Sequence, residues 1–200
     1  MRAILVHGWE GYPEEGWKPW LKRELELRGF EILVPAMPDA NTPTMEKWVS
    51  YLTEIVGAPD KKTFLVGHSL GCIAILRYLE TLKEGQKIGG AILVAGFGED
   101  LDYKAYKGEL SSFFKTTPDW EKIRDHCKQF VAVHSTDDPW VSIKNNKLFQ
   151  EKLNAKSVIQ HNMKHYSGDD GVTELPVVLE ELLRMQAEIK LELLTLLSNK

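Results

Sequence analysis

The fold is decided by residues 63–76, which read Thr63-Phe64-Leu65-Val66-Gly67-His68-Ser69-Leu70-Gly71-Cys72-Ile73-Ala74-Ile75-Leu76. The apolar run before Gly67 predicts a buried strand, and the apolar run after Gly71 predicts a helix. Between them lies a G-x-S-x-G pattern, which becomes specific when it joins a strand to a helix. The two glycines leave room for a sharp turn, and the helix N-terminus favours developing negative charge. The stretch therefore predicts that Ser69 is a nucleophile at the edge of a sheet.

Strand patterns and helix patterns alternate on both sides of this stretch. Six short apolar runs lie at 3–7, 31–35, 63–67, 91–95, 130–134 and 157–160. Helical patterns fill the gaps at 17–28, from Thr42-Pro43, from Ser69, at 142–153 and from Glu174. This alternation predicts parallel strands buried on both faces. We expect one domain over residues 1–200 with the α/β-hydrolase fold: a compact six-stranded parallel sheet, helices on both faces and a small insertion after the fourth strand.

The composition excludes several classes of protein. The net charge of −4 argues against a nucleic-acid partner, because such proteins usually show a basic face. No apolar run approaches the roughly 20 residues of a membrane span, so we expect no membrane partner. The chain starts with a strand pattern rather than a secretory leader. Cys72 and Cys127 form no CxxC and no metal-like cluster. We therefore predict reduced thiols, no metal site and a cytoplasmic location.

A serine nucleophile needs a histidine base and an acid that orients it, and in this fold the acid precedes the histidine. The apolar run 130–134 leads to Asp137 and Asp138, of which Asp138 begins a D-P-x-V pattern. The last predicted strand leads to His161 and His165, and His165 sits deeper in the loop. We predict a catalytic triad of Ser69, Asp138 and His165.

The oxyanion hole of such an enzyme needs two backbone N–H donors. We expect one from Leu70, directly after the serine, and one from Trp9, in the loop after the first strand. The alternative is that the glycines of that loop only make a tight strand–helix turn. His68 occupies the variable position of the motif, and we expect no catalytic role for it. The expected substrate pocket is lined by His7, Trp17, Phe97, Phe114 and Trp140.

Residues 96–129 break the alternation, because they are longer than a simple crossover needs. They are rich in aromatic side chains, namely Phe97, Tyr103, Tyr106, Phe113, Phe114 and Trp120. A long insertion at the carboxyl end of a strand is a candidate lid over a site. The alternative is a longer crossover helix with its own packing face.

Several motifs together resemble a known family. They are Gly16-Trp17-Lys18-Pro19-Trp20-Leu21, Met37-Pro38-Asp39, Gly67-His68-Ser69, Pro118-Asp119-Trp120-Glu121-Lys122-Ile123, Ser135-Thr136-Asp137-Asp138-Pro139 and Lys164-His165-Tyr166. Over roughly residues 1–184 the chain resembles the small serine hydrolases typified by retinoblastoma-binding protein nine and their YdeN-like bacterial relatives. The resemblance implies the same triad of Ser69, Asp138 and His165. It also implies a six-stranded parallel sheet, no cofactor and the hydrolysis of small esters or amides.

The chain departs from that family at three points. Its first loop, residues 7–11, differs from the family's glycine-rich loop. Lys164 stands where the family usually has a glycine before the histidine. The chain has no Leu-x-Cys-x-Glu motif, so binding to the retinoblastoma protein is not carried over.

These features predict a serine hydrolase that cleaves small carboxylic esters or amides through an acyl-enzyme on Ser69. One alternative is a non-catalytic binding module on the same scaffold, because a fold does not fix a function. Another is an acyltransferase or perhydrolase that uses the same triad with a different acceptor.

The last predicted helix, residues 174–198, is longer than the fold needs. Beyond Arg184 the family resemblance stops, yet apolar residues continue at Ile189, Leu191, Leu193, Leu194, Leu196 and Leu197. Such a patch would be conspicuous on a monomer. Either the tail folds back onto the domain or it pairs with a second chain, and we expect a homodimer through this helix.

Overall fold

A parallel sheet of six strands forms the centre of the computed structural model, which describes residues 1–101 and 108–198. The strands are β1 (Arg2–Val6), β2 (Glu31–Leu33), β3 (Thr63–His68), β4 (Gly90–Val94), β5 (Phe130–Ser135) and β6 (Lys156–Gln160). Their order across the sheet is β2-β1-β3-β4-β5-β6, and every neighbouring pair is parallel. The predicted six-stranded parallel sheet is confirmed.

Among the described residues, five α-helices connect successive strands and a sixth follows β6. They are α1 (Lys18–Glu26), α2 (Met45–Val56), α3 (Leu70–Thr81), α4 (Trp120–His126), α5 (Lys144–Leu153) and α6 (Pro176–Ser198). The predicted start of α2, with Thr42 as N-cap and Pro43 as the first helical residue, is wrong by two residues. Thr44 is the N-cap, because its hydroxyl accepts a hydrogen bond from the Lys47 N–H at 3.4 Å.

The core has two layers, one on each face of the sheet. Alternate residues of β3 point to opposite faces, so that Leu65 belongs to the layer formed with α2, α3, α4 and α5, whereas Phe64 and Val66 belong to the layer formed with α1 and α6. The central strands β3, β4 and β5 are buried along their whole length, as predicted. The two edge strands are not, since Leu33 is 39% exposed and Ile159 is 50% exposed. Each edge strand has a neighbour on one side only.

The order of the strands creates a crevice at one edge of the sheet. After β1 the chain moves outward to β2, and it then returns to place β3 on the other side of β1. The loops that follow β1 and β3 therefore leave the sheet in different directions. In open parallel sheets, ligands bind in the crevice that such a switch of direction leaves at the carboxyl ends of the strands.

The insertion 96–129 contains a short 3₁₀ helix (Ser111–Phe114) and α4. The buried Arg77 of α3 fixes the second half of the insertion by donating hydrogen bonds to the Phe113 and Thr116 carbonyls. Its partner Glu80 accepts a hydrogen bond from the Asp119 N–H at 2.5 Å. Tyr103 and Tyr106, two of the aromatic residues expected in a lid, lie outside the described residues.

Helix α6 continues well beyond the part that covers the sheet. Val178, Leu182 and Met185 are fully buried, and Ile189 is buried as well. Further along, Lys61 forms an ion pair with Glu192 at 2.6 Å, and Leu193 packs partly against the core. The tail thus stays in contact with the domain at these residues while the helix continues. Leu191 and Leu194 remain exposed, while the side chains of Leu196 and Leu197 lie outside the described residues.

Both cysteines are buried and unpaired. The Cys72 thiol donates a hydrogen bond to the Val94 carbonyl at 3.4 Å. Burial raises the pKa of both thiols well above its ordinary value. Within residues 1–101 and 108–198, no helix is both long and apolar enough to cross a membrane.

Candidate active site

Ser69 lies in a sharp turn between β3 and α3. Its backbone has φ 52° and ψ −120°, a conformation that costs a residue other than glycine about 1–3 kcal/mol. Close packing enforces the turn, since a Cβ on Gly67 would lie 2.7 Å from the Cys72 nitrogen, and one on Gly71 would lie 2.3 Å from the Val6 oxygen. The Ser69 N–H donates to the Val94 carbonyl at 2.9 Å. The turn thus holds Ser69 at the carboxyl edge of the sheet.

Ser69, His165 and Asp138 form one hydrogen-bonded chain. His165 Nε2 lies 2.9 Å from Ser69 Oγ, and His165 Nδ1 lies 2.8 Å from Asp138 Oδ2. The Asp138 carboxylate can only accept, so Nδ1 carries the proton and Nε2 accepts from the Ser69 hydroxyl. The Asp138 side chain is 1% exposed and the His165 side chain 13%, so the chain of bonds runs from a buried acid toward solvent.

Asp138 is fixed by the loop that contains it. Its second oxygen, Oδ1, accepts hydrogen bonds from the N–H groups of Trp140 and Val141 at 2.8 and 2.9 Å. The D-P-x-V pattern thus places two backbone donors where they orient the carboxylate. Asp137 is exposed and accepts from the Ser135 hydroxyl and the Lys164 N–H.

His161 lies away from the serine. It is exposed, and its Nδ1 lies 3.0 Å from the Thr136 hydroxyl. The structure therefore brings His165 and Asp138 to Ser69 and leaves His161 and Asp137 outside the chain of hydrogen bonds.

The loop after β1 passes directly beside the serine. A Cβ on Gly8 would lie 3.0 Å from Ser69 Cβ and 3.6 Å from Ser69 Oγ, so any side chain here would press against the serine. The next residue is Trp9, whose indole N–H donates to the Asn41 carbonyl at 3.1 Å. No described residue accepts a hydrogen bond from the backbone N–H of Trp9 or of Leu70. The two predicted oxyanion donors, the N–H groups of Trp9 and Leu70, thus follow directly after Gly8 and Ser69, which lie side by side.

A cavity of ≈ 680 Å³ opens above Ser69. Of the five residues predicted to line a pocket, Phe97 and Trp140 do so. The other three, His7, Trp17 and Phe114, are not among the residues that line this cavity.

Hydrogen bonds and stacking explain the position of these three side chains. His7 accepts from the Met37 N–H at 2.9 Å through Nε2, and so is committed to the core beneath the first loop. The Trp17 indole donates to the Tyr166 carbonyl at 3.1 Å, which buries the ring under the loop after β6. Phe114 stacks behind Phe97, with ring centroids 5.8 Å apart.

Several further residues line the cavity. The apolar ones include Leu101, Leu110 and Val141, and the polar ones include Glu10, Tyr12, Glu15 and Asp169. The acidic ones lie in loops at the carboxyl edge of the sheet, where the sequence already places them, whereas no sequence pattern pointed to Leu101, Leu110 or Tyr12. Within the described part of the chain, no group of three or more histidine, cysteine or acidic residues is arranged to hold a metal ion.

The sequence pattern that defines the serine hydrolase family matches residues 3–184. The chain belongs to the serine hydrolase family. YdeN of Bacillus subtilis (strain 168) is 33% identical over 181 residues, which are 90% of this chain and 94% of YdeN. The serine hydrolase RBBP9 of Rattus norvegicus is 32% identical over 158 residues, 78% of this chain and 81% of RBBP9. The predicted family and the hydrolase class are confirmed.

Solved structures agree with this family assignment. The crystal structure of the ydeN gene product superposes with a TM-score of 0.87 at 31% identity, covering 93% of this chain and 98% of that one. Est1E from Butyrivibrio proteoclasticus gives a TM-score of 0.69 at 16% identity, over 94% of this chain and 87% of that one. At that identity the second match supports the fold alone. The superposition on the ydeN gene product confirms the predicted α/β-hydrolase fold of this member of the serine hydrolase family.

Proposed function

We propose that this serine hydrolase cleaves small carboxylic esters or amides through an acyl-enzyme on Ser69. The observation that carries the proposal is the chain of hydrogen bonds from Asp138 through His165 to Ser69 Oγ, which ends in an open cavity. A serine hydroxyl is a weak nucleophile until a base at hydrogen-bond distance takes its proton. The distance of 2.9 Å between Ser69 Oγ and His165 Nε2 meets that requirement.

In the acylation step, Ser69 Oγ attacks the substrate carbonyl carbon while His165 Nε2 takes the hydroxyl proton. The bond between the carbonyl carbon and the leaving oxygen or nitrogen then breaks, and the leaving group receives that proton from His165. The Asp138 carboxylate stabilises the imidazolium that exists between these two transfers. Because the Trp140 and Val141 N–H groups hold its other oxygen, Asp138 keeps the imidazole in the correct orientation.

In the deacylation step, water attacks the acyl carbon and gives a proton to His165. The bond to Ser69 Oγ breaks, a carboxylic acid is released, and the proton returns to the serine. In both steps the carbonyl oxygen becomes negative, and the backbone N–H groups of Leu70 and Trp9 are the donors that we assign to it. The close approach of Gly8 to Ser69 supports this assignment for Trp9.

Labelling with a fluorophosphonate probe tests the proposal. The wild-type chain should gain one covalent adduct, located on Ser69 by mass spectrometry of peptides, and should hydrolyse p-nitrophenyl esters. Ser69→Ala should lose both reactions and keep its circular dichroism spectrum. A wild-type chain that takes up no probe, or a Ser69→Ala variant that retains more than a few per cent of the activity, would refute the proposal.

A further inference from the structure

The loop that carries His165 has an unusual backbone. Lys164 and Tyr166, on either side of the histidine, have φ of 46° and 58°, in the left-handed region. Residues other than glycine adopt this region at a cost, and they do so where the surroundings hold them in place. The family's usual glycine before the histidine would relieve the first of the two positions. In this chain other contacts must keep the loop in position.

Two side chains supply those contacts at His165 itself. The His165 N–H donates to Asp170 Oδ2 at 3.0 Å, and the His165 carbonyl accepts from His68 Nε2 at 2.7 Å. Both backbone polar groups of the histidine are therefore bound to side chains. Asp170 also accepts from the N–H and the hydroxyl of Ser167, at 3.2 and 2.8 Å, so its carboxylate is itself held in place.

The bond to the His165 carbonyl is the one hydrogen bond that the His68 ring makes among the described residues, and it fixes the tautomer of the ring. A carbonyl oxygen only accepts, so Nε2 must carry the proton and Nδ1 must be a bare lone pair. Nδ1 is buried and has no hydrogen-bond partner among the described residues. Burial, followed by the nearby charge of His165, lowers the pKa of His68 well below its ordinary value, so the ring is neutral near pH 7.

An unpartnered buried nitrogen costs roughly 1–3 kcal/mol, so an apolar side chain would fill this space at a lower cost. The contact to His165 explains why a histidine is there. His68 also directly precedes Ser69 in the chain. The path from the serine backbone to the His165 backbone is thus one peptide unit, one side chain and one hydrogen bond.

We propose that His68 is a positioning residue which, together with Asp170, fixes the backbone of His165 and so sets the distance between His165 Nε2 and Ser69 Oγ. The proposal rests on the function proposed above for Ser69 and His165. It assigns His68 no contact with the reacting atoms. Any movement of the turn at Ser69 also moves the hydrogen-bond donor that holds the base, which keeps the two groups in register.

Two amide variants form a matched pair for testing His68. Glutamine places its amide nitrogen where histidine has Nε2, whereas asparagine places it where histidine has Nδ1. His68→Gln can thus donate to the His165 carbonyl, and His68→Asn cannot. We expect kcat for ester hydrolysis to fall roughly 100-fold in His68→Asn, with KM changed less than about twofold, because a small misplacement of a catalytic group has an effect of that size. In His68→Gln the loss of kcat should stay within about threefold.

A double-mutant cycle separates positioning from general damage. In a His165→Ala background, His68→Asn should cause no further loss, because the group that it positions is gone. A further loss as large as in the wild-type background, or equal activity of the asparagine and glutamine variants, would overturn the proposal. If His68→Asn does not fold, Asp170→Ala compared with Asp170→Asn, which keeps an acceptor oxygen, tests the other contact with the same expectations.

A readout without turnover keeps this proposal distinct from the proposed function. The proton on His165 Nδ1, bound to Asp138, should give a far-downfield NMR signal that is absent in His165→Ala. The signal should persist in His68→Gln and broaden or vanish in His68→Asn. If the proposed function is wrong, the Ser69→Ala variant will remain active, whatever happens to this NMR signal. An unchanged signal in His68→Asn would overturn the positioning role even if Ser69 proves to be the nucleophile.

Discussion

The loops after β5 and β6 and the insertion after β4 border the same cavity, but the groups that they bring to it differ. In the two loops, side-chain carboxylates bind backbone N–H groups, as Asp138 binds those of Trp140 and Val141 and Asp170 binds that of His165. The described part of the insertion borders the cavity mainly with apolar side chains such as Phe97 and Leu110. Directional bonds fix single atoms, whereas apolar contacts fix a volume.

The difference indicates which substitutions should affect chemistry and which should affect substrate choice. A change in the two loops alters the position of a reacting group, so it should lower kcat. A change in the wall of the cavity alters the fit of the substrate, so it should act mainly on KM.

The largest effect is expected at the buried acid and the base. Asp138→Asn and His165→Ala should each lower kcat about 10⁴-fold, since one gives the imidazole the wrong tautomer and the other removes it. Asp137→Asn and His161→Ala are matched controls in the same loops and should keep most of the activity. Initial rates with a p-nitrophenyl ester measure this. The assignment would be reversed if the controls were the inactive pair.

A smaller effect is expected at the rim of the cavity. Trp140 is 48% exposed and lines the cavity with its side chain, while its N–H binds Asp138. Trp140→Ala keeps the N–H and should raise KM by about tenfold or less, with kcat nearly unchanged. Leu27→Ala, at an exposed apolar residue directly after α1, is the control. A large fall in kcat for Trp140→Ala would contradict the distinction between wall residues that act on KM and loop residues that act on kcat.

A few-fold effect is expected from the charge of the cavity. Glu10 and Asp169 line it, and no described lining residue is a lysine or arginine. Neutral esters should therefore have a higher kcat/KM than matched anionic esters at low salt, and added salt should narrow the gap. The double variant Glu10→Gln, Asp169→Asn should narrow it as well. Equal kcat/KM values for the two esters at low salt would contradict this prediction.

The smallest effect on activity is expected far from both regions, on the tail of α6. The homodimer remains a prediction, and the exposed Leu191 and Leu194 are the described side chains that could support it. Replacing both by glutamine should abolish self-association in light scattering and leave kcat unchanged. Ending the chain at Arg184 is a poorer test, because it removes the buried Met185 and Ile189. A wild-type monomer at concentrations of tens of micromolar would end the prediction.

The sequence was sufficient to predict the six-stranded sheet and the hydrogen-bonded side chains of Ser69, His165 and Asp138, because each depends on a local pattern. The run before Ser69 and the pattern after Asp138 each specify a turn by residue type alone. The start of α2 was missed because Thr42 and Thr44 are both good N-caps, and only the hydrogen bond to Lys47 distinguishes them.

The residues that sequence reasoning missed depend on distant contacts. His68 is bound to a carbonyl 97 residues away, and no pattern near His68 points to that contact. His7 and Trp17 are aromatic residues near the serine, but buried hydrogen bonds turn them toward the core. The cavity wall could not be predicted for another reason, since many apolar residues fill such a space equally well.

The alkylation rates of the two buried thiols report how often the protein unfolds locally around each of them. Only a thiolate reacts quickly with an alkylating reagent, and a fully buried thiol with a raised pKa offers almost none. Alkylation of Cys72 therefore requires α3, behind the serine, to detach from the sheet, and alkylation of Cys127 requires the end of α4 to open. The ratio of the two rates would show whether the molecule opens as one unit or in parts.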